Sequence, residues 1–339
     1  MNDLTMGKQD AKRALITGIS GPDGSYLAKF LLEKGYEVIG ASRDAQAASF
    51  SNLEKLGIRG KVKTVSMSLN DFRSVLQALV QTEPVEIYNL AAQSSVGLSF
   101  DQPVETMDSI SIGTLNLLEA VRFLDMPIRL YSAGSSECFG DTGETAADES
   151  TPFRPRSPYA VAKAAAFWEV ANYREAYKLY ACSGILFNHE SPLRPDRFVT
   201  KKILNAASRI ANGSKERLRL GSLDIRRDWG WAPEYIEAMW LMLQKDEPDD
   251  YIVATGETHS LREFVAEVFS NFDLDWQEHV DFDPTLVRPN ELLVSRADPY
   301  KAYRELGWRA KYRMKDVASM LVDWAKTHEE VAPGVRAVR

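Results

Sequence analysis

Tyr159 and Lys163 stand four residues apart in Ser157-Pro158-Tyr159-Ala160-Val161-Ala162-Lys163 and so share one face of a helix. Pro158 suits the first turn of that helix. A phenol with a pKa of about 10 is a poor base at neutral pH. A neighbouring ammonium and a cationic nicotinamide both favour the phenolate. The lysine can also hydrogen-bond a nicotinamide ribose, and a serine opposite, Ser135, can hold a substrate hydroxyl in line. Together they would remove a proton from a hydroxyl while hydride leaves for a dinucleotide. Glu137 adds what simple alcohol oxidation does not need. A carboxylate there can take a second proton, from the carbon next to the carbonyl just made.

The dinucleotide has its own signal. Thr17-Gly18-Ile19-Ser20-Gly21-Pro22-Asp23-Gly24 follows an apolar run and precedes a helix pattern. Its spacing is G-x-x-G-x-x-G instead of G-x-G-x-x-G, but the physical demand is similar. The chain must turn tightly, let its backbone approach a pyrophosphate, and aim a helix N-terminus at the anion. NAD-binding units usually carry an acid about 20 residues on, to hold the ribose 2′-hydroxyl. Here Ser42 takes that place and Arg43 follows, which suits the 2′-phosphate of NADP, although Asp44 offsets part of the charge.

These residues need elements to position them. Arg13–Thr17, Glu37–Ala41, Val62–Ser66, Glu86–Leu90, Ile128–Ala133 and Ala181–Leu186 read as strands. Stretches with helical spacing, such as Tyr26–Lys34, Asp71–Gln81 and Thr114–Phe123, lie between most of them. The repeat predicts an α/β fold: a Rossmann-type, doubly wound parallel sheet with helices on both faces. Ser135 and Glu137 follow a strand, where open α/β sheets bind ligands. After Leu186 the alternation weakens. Asn188–Pro195 reads as a loop, Phe198–Asn212, Pro233–Gln244, Ser260–Ser270 and Met314–His328 as helices, and Arg217–Leu220 and Tyr251–Ala254 as strands. The expected division is a mobile leader at 1–12, a Rossmann domain at 13–187 with returns near 224–255 and 291–298, and a smaller, interleaved, discontinuous substrate domain at 188–339.

Composition narrows the function. With 339 residues, 45% hydrophobic and 26% charged, the chain is globular and long enough for two domains. A net charge of −7 argues against broad nucleic-acid or acidic-membrane binding. Two cysteines are too few for a disulfide framework, and a reducing cytoplasm is expected. The four histidines show no metal spacing, so no metal is expected. No apolar run reaches the roughly 18–20 residues of a membrane span, and no membrane partner is expected.

The glycine turn, the strand-end serine and Tyr-x-x-x-Lys resemble those of extended short-chain dehydrogenases/reductases. More closely, roughly residues 12–330 resemble the GDP-mannose 4,6-dehydratase family. The stretches that carry the resemblance are Tyr88-Asn89-Leu90-Ala91-Ala92-Gln93-Ser94, Gly184-Ile185-Leu186-Phe187-Asn188-His189-Glu190-Ser191-Pro192 and Arg227-Asp228-Trp229-Gly230. The resemblance implies a set of roles. Ser135, Glu137, Tyr159 and Lys163 would be catalytic. Gly18, Ser20, Gly21, Pro22, Asp23, Gly24, Ser42, Arg43, Ser68, Leu69, Leu90, Ala91, Ala92, Gln93, Lys163, His189 and Arg194 would hold NADP. Ser94, Asn188, Val199, Lys202, Arg227, Arg288 and Glu291 would hold a GDP-linked sugar, with the three cations clamping its diphosphate. Three stretches depart from the family pattern. Arg43-Asp44-Ala45-Gln46-Ala47 replaces an Arg-Arg-Ser-Ser run that reaches a neighbouring subunit's cofactor, so a homodimer is expected, with a homotetramer as the alternative. Ser68 replaces an adenine-contacting aspartate, and Leu193-Arg194-Pro195-Asp196 replaces Arg-Arg-Gly-Glu.

The reaction expected from this is a 4,6-dehydration. Tyr159 takes the C4 hydroxyl proton as hydride passes to NADP⁺, Glu137 takes the C5 proton and then helps the C6 hydroxyl leave as water, and hydride returns to C6. A 4-epimerase or 4-ketoreductase on the same fold is the alternative enzyme, and neither needs an acid at 137. A non-catalytic NADP-binding sensor is the alternative outside enzymes.

Overall fold

A computed structural model describes residues 11–328; most of the expected leader, residues 1–10, lies outside them. The first half alternates strands β1 (Arg13–Thr17), β2 (Glu37–Ser42), β3 (Lys63–Ser66), β4 (Glu86–Asn89), β5 (Arg129–Ala133) and β6 (Tyr180–Leu186) with helices α1 (Pro22–Glu33), α2 (Ser51–Lys55), α3 (Phe72–Thr82), α4 (Val96–Asp101), α5 (Pro103–Met107), α6 (Gly113–Leu124) and α7 (Pro158–Tyr177). Then come β7 (Asn188–Glu190), α8 (Val199–Ala211), β8 (Leu218–Leu220), β9 (Arg226–Arg227), β10 (Trp229–Trp231), α9 (Ala232–Met242), β11 (Tyr251–Val253), β12 (His259–Ser260), α10 (Leu261–Ser270), β13 (Val280–Phe282), α11 (Tyr300–Leu306) and α12 (Met314–Thr327).

Seven strands form one parallel sheet in the order β3-β2-β1-β4-β5-β6-β11. The order reverses between β1 and β4, as in a doubly wound Rossmann sheet, and ligands sit at that reversal. The strand interiors are apolar because helices cover both faces: Ala14, Leu15, Ile16, Ile87 and Tyr88 are fully buried. Each large side chain so buried contributes about 1.5–3 kcal/mol.

The helices start where capping chemistry allows. Asp71 caps α3 by accepting from Arg73 N at 3.0 Å and Ser74 N at 3.3 Å. Ser157 caps α7 by accepting from Ala160 N at 3.1 Å, with Pro158 in the first turn. That cap fixes where α7 begins, and so where Tyr159 and Lys163 point. Beyond the sheet, α8, α10 and α12 pack around a separate core that includes Ile203, Leu204, Val265, Phe269, Val317 and Leu321. Among the described residues, no helix is long and apolar enough to cross a membrane.

One expectation is corrected. Asn188–Pro195 does not run as a loop throughout, because Asn188–Glu190 forms β7, parallel to β10. The extended backbone leaving β6 finds a partner in Trp229–Trp231, which buries His189 and Glu190. Pro192 and Pro195 fall beyond the strand, where the chain turns into α8. Between α5 and α6 lies a π-helical segment, Asp108–Ile112, and periodicity gave no sign of it.

Candidate active site

β1 ends at Thr17, whose Oγ1 donates to Asn89 Oδ1 at 2.9 Å and accepts from Leu90 N and Ala91 N at 3.0 Å each. This hydroxyl ties the exits of β1 and β4 together. Gly18 follows at φ +69°, and a Cβ there would lie 2.9 Å from the Leu90 carbonyl and Ala91 N. A Cβ on Gly24 would lie 2.4 Å from Gly18 O. The turn is therefore closed to any larger residue. Helix α1 then starts from Gly21 without a side-chain cap, leaving its first N–H groups to face the cleft. The cleft holds about 620 Å³ and is lined by the Gly18–Gly24 turn, Ser42, Arg43, Ser68, Leu69, Leu90–Ser94 and Arg194. A glycine cradle at an uncapped helix N-terminus, at the switch point of the sheet, fits a dinucleotide. Arg43 is exposed at the rim and makes no ion pair among the described residues. Asp44 does not neutralise it, since its Oδ1 accepts from Gln46 N at 2.9 Å and Ala47 N at 3.1 Å.

The chemical cluster adjoins the exit of β5. Ser135 follows that strand and caps the turn Ser136–Phe139, its Oγ accepting from Glu137 N at 3.3 Å. Ser135, Tyr159 and Lys163 are all buried. Lys163 Nζ donates to Ala133 O at 2.6 Å and lies 5.9 Å from the centre of the Tyr159 ring. Burial pushes the Lys163 ammonium down to about 8. Burial also raises the Tyr159 phenol, while a hydrogen bond with Ser135 pulls it part of the way back. The phenol and the serine hydroxyl thus already face each other.

Glu137 is half-buried beside this pair. Burial raises its pKa, Arg227 and Arg288 pull it down, Glu291 pushes it up, and the balance lies above the usual carboxylate range. Arg227 is 5% exposed. It pairs neither with Asp228 nor with Asp224, the two acids nearest in sequence. Its guanidinium reaches Glu291 at 3.2 Å, while Asp228 accepts from Thr255 N and Gly256 N and Asp224 pairs with Arg262. A small recess lined by Glu137, Arg156, Ser157, Arg288 and Glu291 completes the group.

The remaining residues fall in other places. Lys202 Nζ donates to Arg219 O at 2.9 Å, beside the Arg219–Asp283 pair instead of Glu137. Val199 opens α8 and packs on the second core, and Asn188 opens β7. Ser94 lines the cleft, where Arg197 reaches it at 3.5 Å. Arg194 lies 3.8 Å over the Phe198 ring and 3.3 Å from Glu190. His189 is not part of the cleft lining; it is buried behind Asp23.

The family model for GDP-mannose 4,6 dehydratase matches residues 15–321. The chain belongs to that family. GDP-mannose 4,6 dehydratase 1 of Arabidopsis thaliana is 47% identical over 322 residues, covering 92% of this chain and 89% of the relative. GDP-mannose 4,6 dehydratase of Homo sapiens is 43% identical over 345 residues, covering 94% and 92%. Among solved structures, the Thermus thermophilus UDP-glucose 4-epimerase complex with NAD gives a TM-score of 0.82 at 29% identity, covering 93% of this chain and 99% of that one. A dTDP-glucose 4,6-dehydratase from Streptomyces venezuelae, solved with NAD bound, gives 0.83 at 23% identity, covering 93% and 97%, and this likeness shows the fold.

Within this GDP-mannose 4,6-dehydratase scaffold, several residues near the site escaped the sequence reading. Thr17 was visible only as the last residue of a strand, and its bridging role needs the β1–β4 register. Ser109 lines the cleft from the π-helical segment. Arg197 and Phe198 line it from the approach to α8; their place just past Arg194 was a usable signal.

Proposed function

We propose that this chain catalyses the NADP-dependent 4,6-dehydration of GDP-mannose to GDP-4-keto-6-deoxymannose, as a hydro-lyase. The observation that carries the reading is the half-buried Glu137, two residues past Ser135, under the charges of Arg227 and Arg288 and next to the Tyr159–Lys163 pair. A bound nicotinamide supplies the oxidant at C4 and the reductant at C6, so the reaction has no net redox change. Ser135 orients the C4 hydroxyl and Tyr159 accepts its proton, with Lys163 stabilising the phenolate. The C5 proton, acidified by the new C4 ketone, goes to Glu137. Glu137 then gives it to the C6 hydroxyl, which leaves as water; once C6 is reduced, C5 takes up a proton equivalent to the one Tyr159 accepted, which resets Tyr159 for the next turnover. A carboxyl whose proton affinity is raised serves both steps, because it must accept and donate within one turnover. Arg227 and Arg288, with Lys202, are assigned to the diphosphate, and Glu291 to a sugar or ribose hydroxyl once substrate draws Arg227 away.

Other parts of the reading have their own support. The free, exposed Arg43 beside Ser42 favours NADP over NAD. Arg43→Ala is expected to weaken NADP⁺ binding by about ten- to a hundredfold, roughly 1.5–3 kcal/mol, with little change for NAD⁺. Equal affinities of the unaltered protein for the two would remove this preference. The domain division proposed above assigns the core around α8, α10 and α12 to the sugar nucleotide. A homodimer is favoured by exposed apolar side chains on α5 to α7, among them Val104, Phe123 and Trp168. A reducing cytoplasm suits the two buried free thiols, Cys138 and Cys182.

The deciding experiment incubates the protein with GDP-, dTDP-, CDP- and UDP-linked hexoses. Mass spectrometry should show loss of one water from GDP-mannose with no stoichiometric consumption of cofactor. Inversion of a sugar centre without water loss would transfer the assignment to an epimerase, and stoichiometric NADPH use would transfer it to a ketoreductase.

A further inference from the structure

The first turn of α1 carries a carboxylate, Asp23, that lines the cleft. A negative charge suits a helix N-terminus but opposes an anion placed over the same N–H groups. Its partner comes from 166 residues away: His189 Nε2 lies 3.1 Å from Asp23 Oδ2. The other ring nitrogen, Nδ1, lies 2.7 Å from the Phe187 carbonyl oxygen. A carbonyl oxygen only accepts, so Nδ1 carries a hydrogen. With no further hydrogen, Nε2 and Oδ2 would face each other with lone pairs alone. A second hydrogen therefore lies between them, and wherever it sits, the pair is neutral as a whole. We infer that Asp23 and His189 hold one shared proton beneath the cofactor's pyrophosphate and thereby make dinucleotide affinity depend on pH. The inference rests on the cofactor reading above.

The surroundings place that proton on the ring. Burial alone would discharge His189, but the charge and hydrogen bond of Asp23 raise its pKa above the ordinary histidine value, against the opposing charge of Arg194. Burial likewise resists ionisation of Asp23, yet His189, aided by Arg194, holds its carboxyl below the usual range. Every other titratable neighbour is neutral or already engaged. Tyr26 on α1 and Tyr131 on β5 feel the charge of Asp23, and burial raises both phenols. Tyr235 of α9 stacks 4.6 Å from the His189 ring, is raised by burial, and is itself acted on by Asp228, Glu234, Arg313 and Glu190. Glu190 is held by Thr200 at 2.7 Å and Arg194 at 3.3 Å.

The sign follows from linkage. As pH rises through the pair's pKa the proton leaves, and Asp23 becomes an uncompensated charge under the pyrophosphate. Bound anion raises the pair's proton affinity, so binding at alkaline pH takes up a proton and affinity falls, by at most about tenfold per pH unit. In Asp23→Asn, the amide can donate to a neutral Nε2, and no shared proton is needed. In His189→Gln, Asp23 keeps its charge at every pH above its own ionisation.

NADP⁺ dissociation constants, measured calorimetrically from pH 7 to 9.5, test this together with the titration of the His189 ring in the free protein by ¹⁵N NMR. The unaltered chain should lose affinity toward high pH. Asp23→Asn should lose most of that dependence, retaining only the share of Lys163, which burial pushes down to about 8. His189→Gln should bind more than tenfold more weakly at pH 7, and adding Asp23→Asn to it should recover most of the loss, which repair of a merely structural role would not do. The ring should titrate above the ordinary histidine range and fall back in Asp23→Asn; these two measurements require no change at His189. Equal slopes in the unaltered chain and Asp23→Asn, no recovery in the double variant, or a ring titration indifferent to Asp23→Asn would each overturn the inference. Absence of any dinucleotide binding by the unaltered chain would overturn the cofactor reading itself. That failure is distinct from the case in which binding persists without the pH dependence.

Discussion

Glu137 sits under opposing influences: burial and Glu291 favour its protonated form, and Arg227 and Arg288 favour the carboxylate. The proposed chemistry uses both forms, which leads to two expected outcomes. Glu137→Gln keeps the volume and removes the base. Product formation should fall by about 10²–10⁴-fold while the C4 oxidation persists, seen as reduced-nicotinamide absorbance after mixing with GDP-mannose. Tyr159→Phe should yield neither absorbance nor product. The second outcome concerns pH. Because Arg288 lowers the Glu137 pKa, Arg288→Ala should raise it, and the acidic limb of the kcat/KM profile should move to higher pH. The loss would then be larger in mild acid than at pH 8; an unmoved limb would detach Glu137 from that limb. Much of this site was legible beforehand. Tyr159 and Lys163 declare themselves by spacing, and Ser135 and Glu137 by following a strand. The charges around Glu137 come from β9 and from the segment of Arg288 and Glu291, far along the chain, and only the resemblance pointed to them. The Asp23–His189 contact had no local signal at all, since its members are separated by most of the sheet.

Among elements, β11 is the short strand that returns the second half of the chain to the sheet, beside β6. Its anchor is Asp250, which takes both Arg174 nitrogens of α7, at 3.0 and 2.6 Å, and accepts from Ser183 N at 2.6 Å. The pair is largely enclosed, with side chains 17% and 10% exposed. Removing one partner leaves a buried charge unpaired, so Asp250→Ala should cost about 3–5 kcal/mol, measured by denaturant unfolding. A loss below about 1 kcal/mol would mean that water already reaches the pair. The elements show where sequence reading works. Strands such as β1, β2 and β6 are nearly continuous apolar runs, and across the main sheet expectation met the structure within a residue or so. β7 was missed because three residues ahead of two prolines carry too little pattern, and its strand character depends on β10, forty residues later. The π-helical Asp108–Ile112 segment was missed because the helical register shifts inside an otherwise ordinary helical stretch.

At the scale of the whole molecule, Trp168 and Phe123 leave large apolar faces exposed on α7 and α6, at 63% and 65%. If a second copy covers them, Trp168→Glu should shift the mass measured by light scattering from dimer to monomer. An unaltered chain that is already monomeric would refute the dimer. A change of pattern beyond the first half of the sheet could be read from the weakening of alternation after Leu186. The packing of α8, α10 and α12 into one core could not, because amphipathic spacing shows that a helix buries a face without naming its partner. One feature of the cleft bears on how the enzyme spends its time. Arg194, Pro195, Arg197 and Phe198, which wall it on one side, lead directly into α8, so a departing dinucleotide would pass beside the entrance to the helix that carries Lys202. A reaction that leaves the nicotinamide as it found it has no need of that departure. Turnover can then be set by the comings and goings of the sugar nucleotide alone, with a single dinucleotide retained as a resident tool through many cycles.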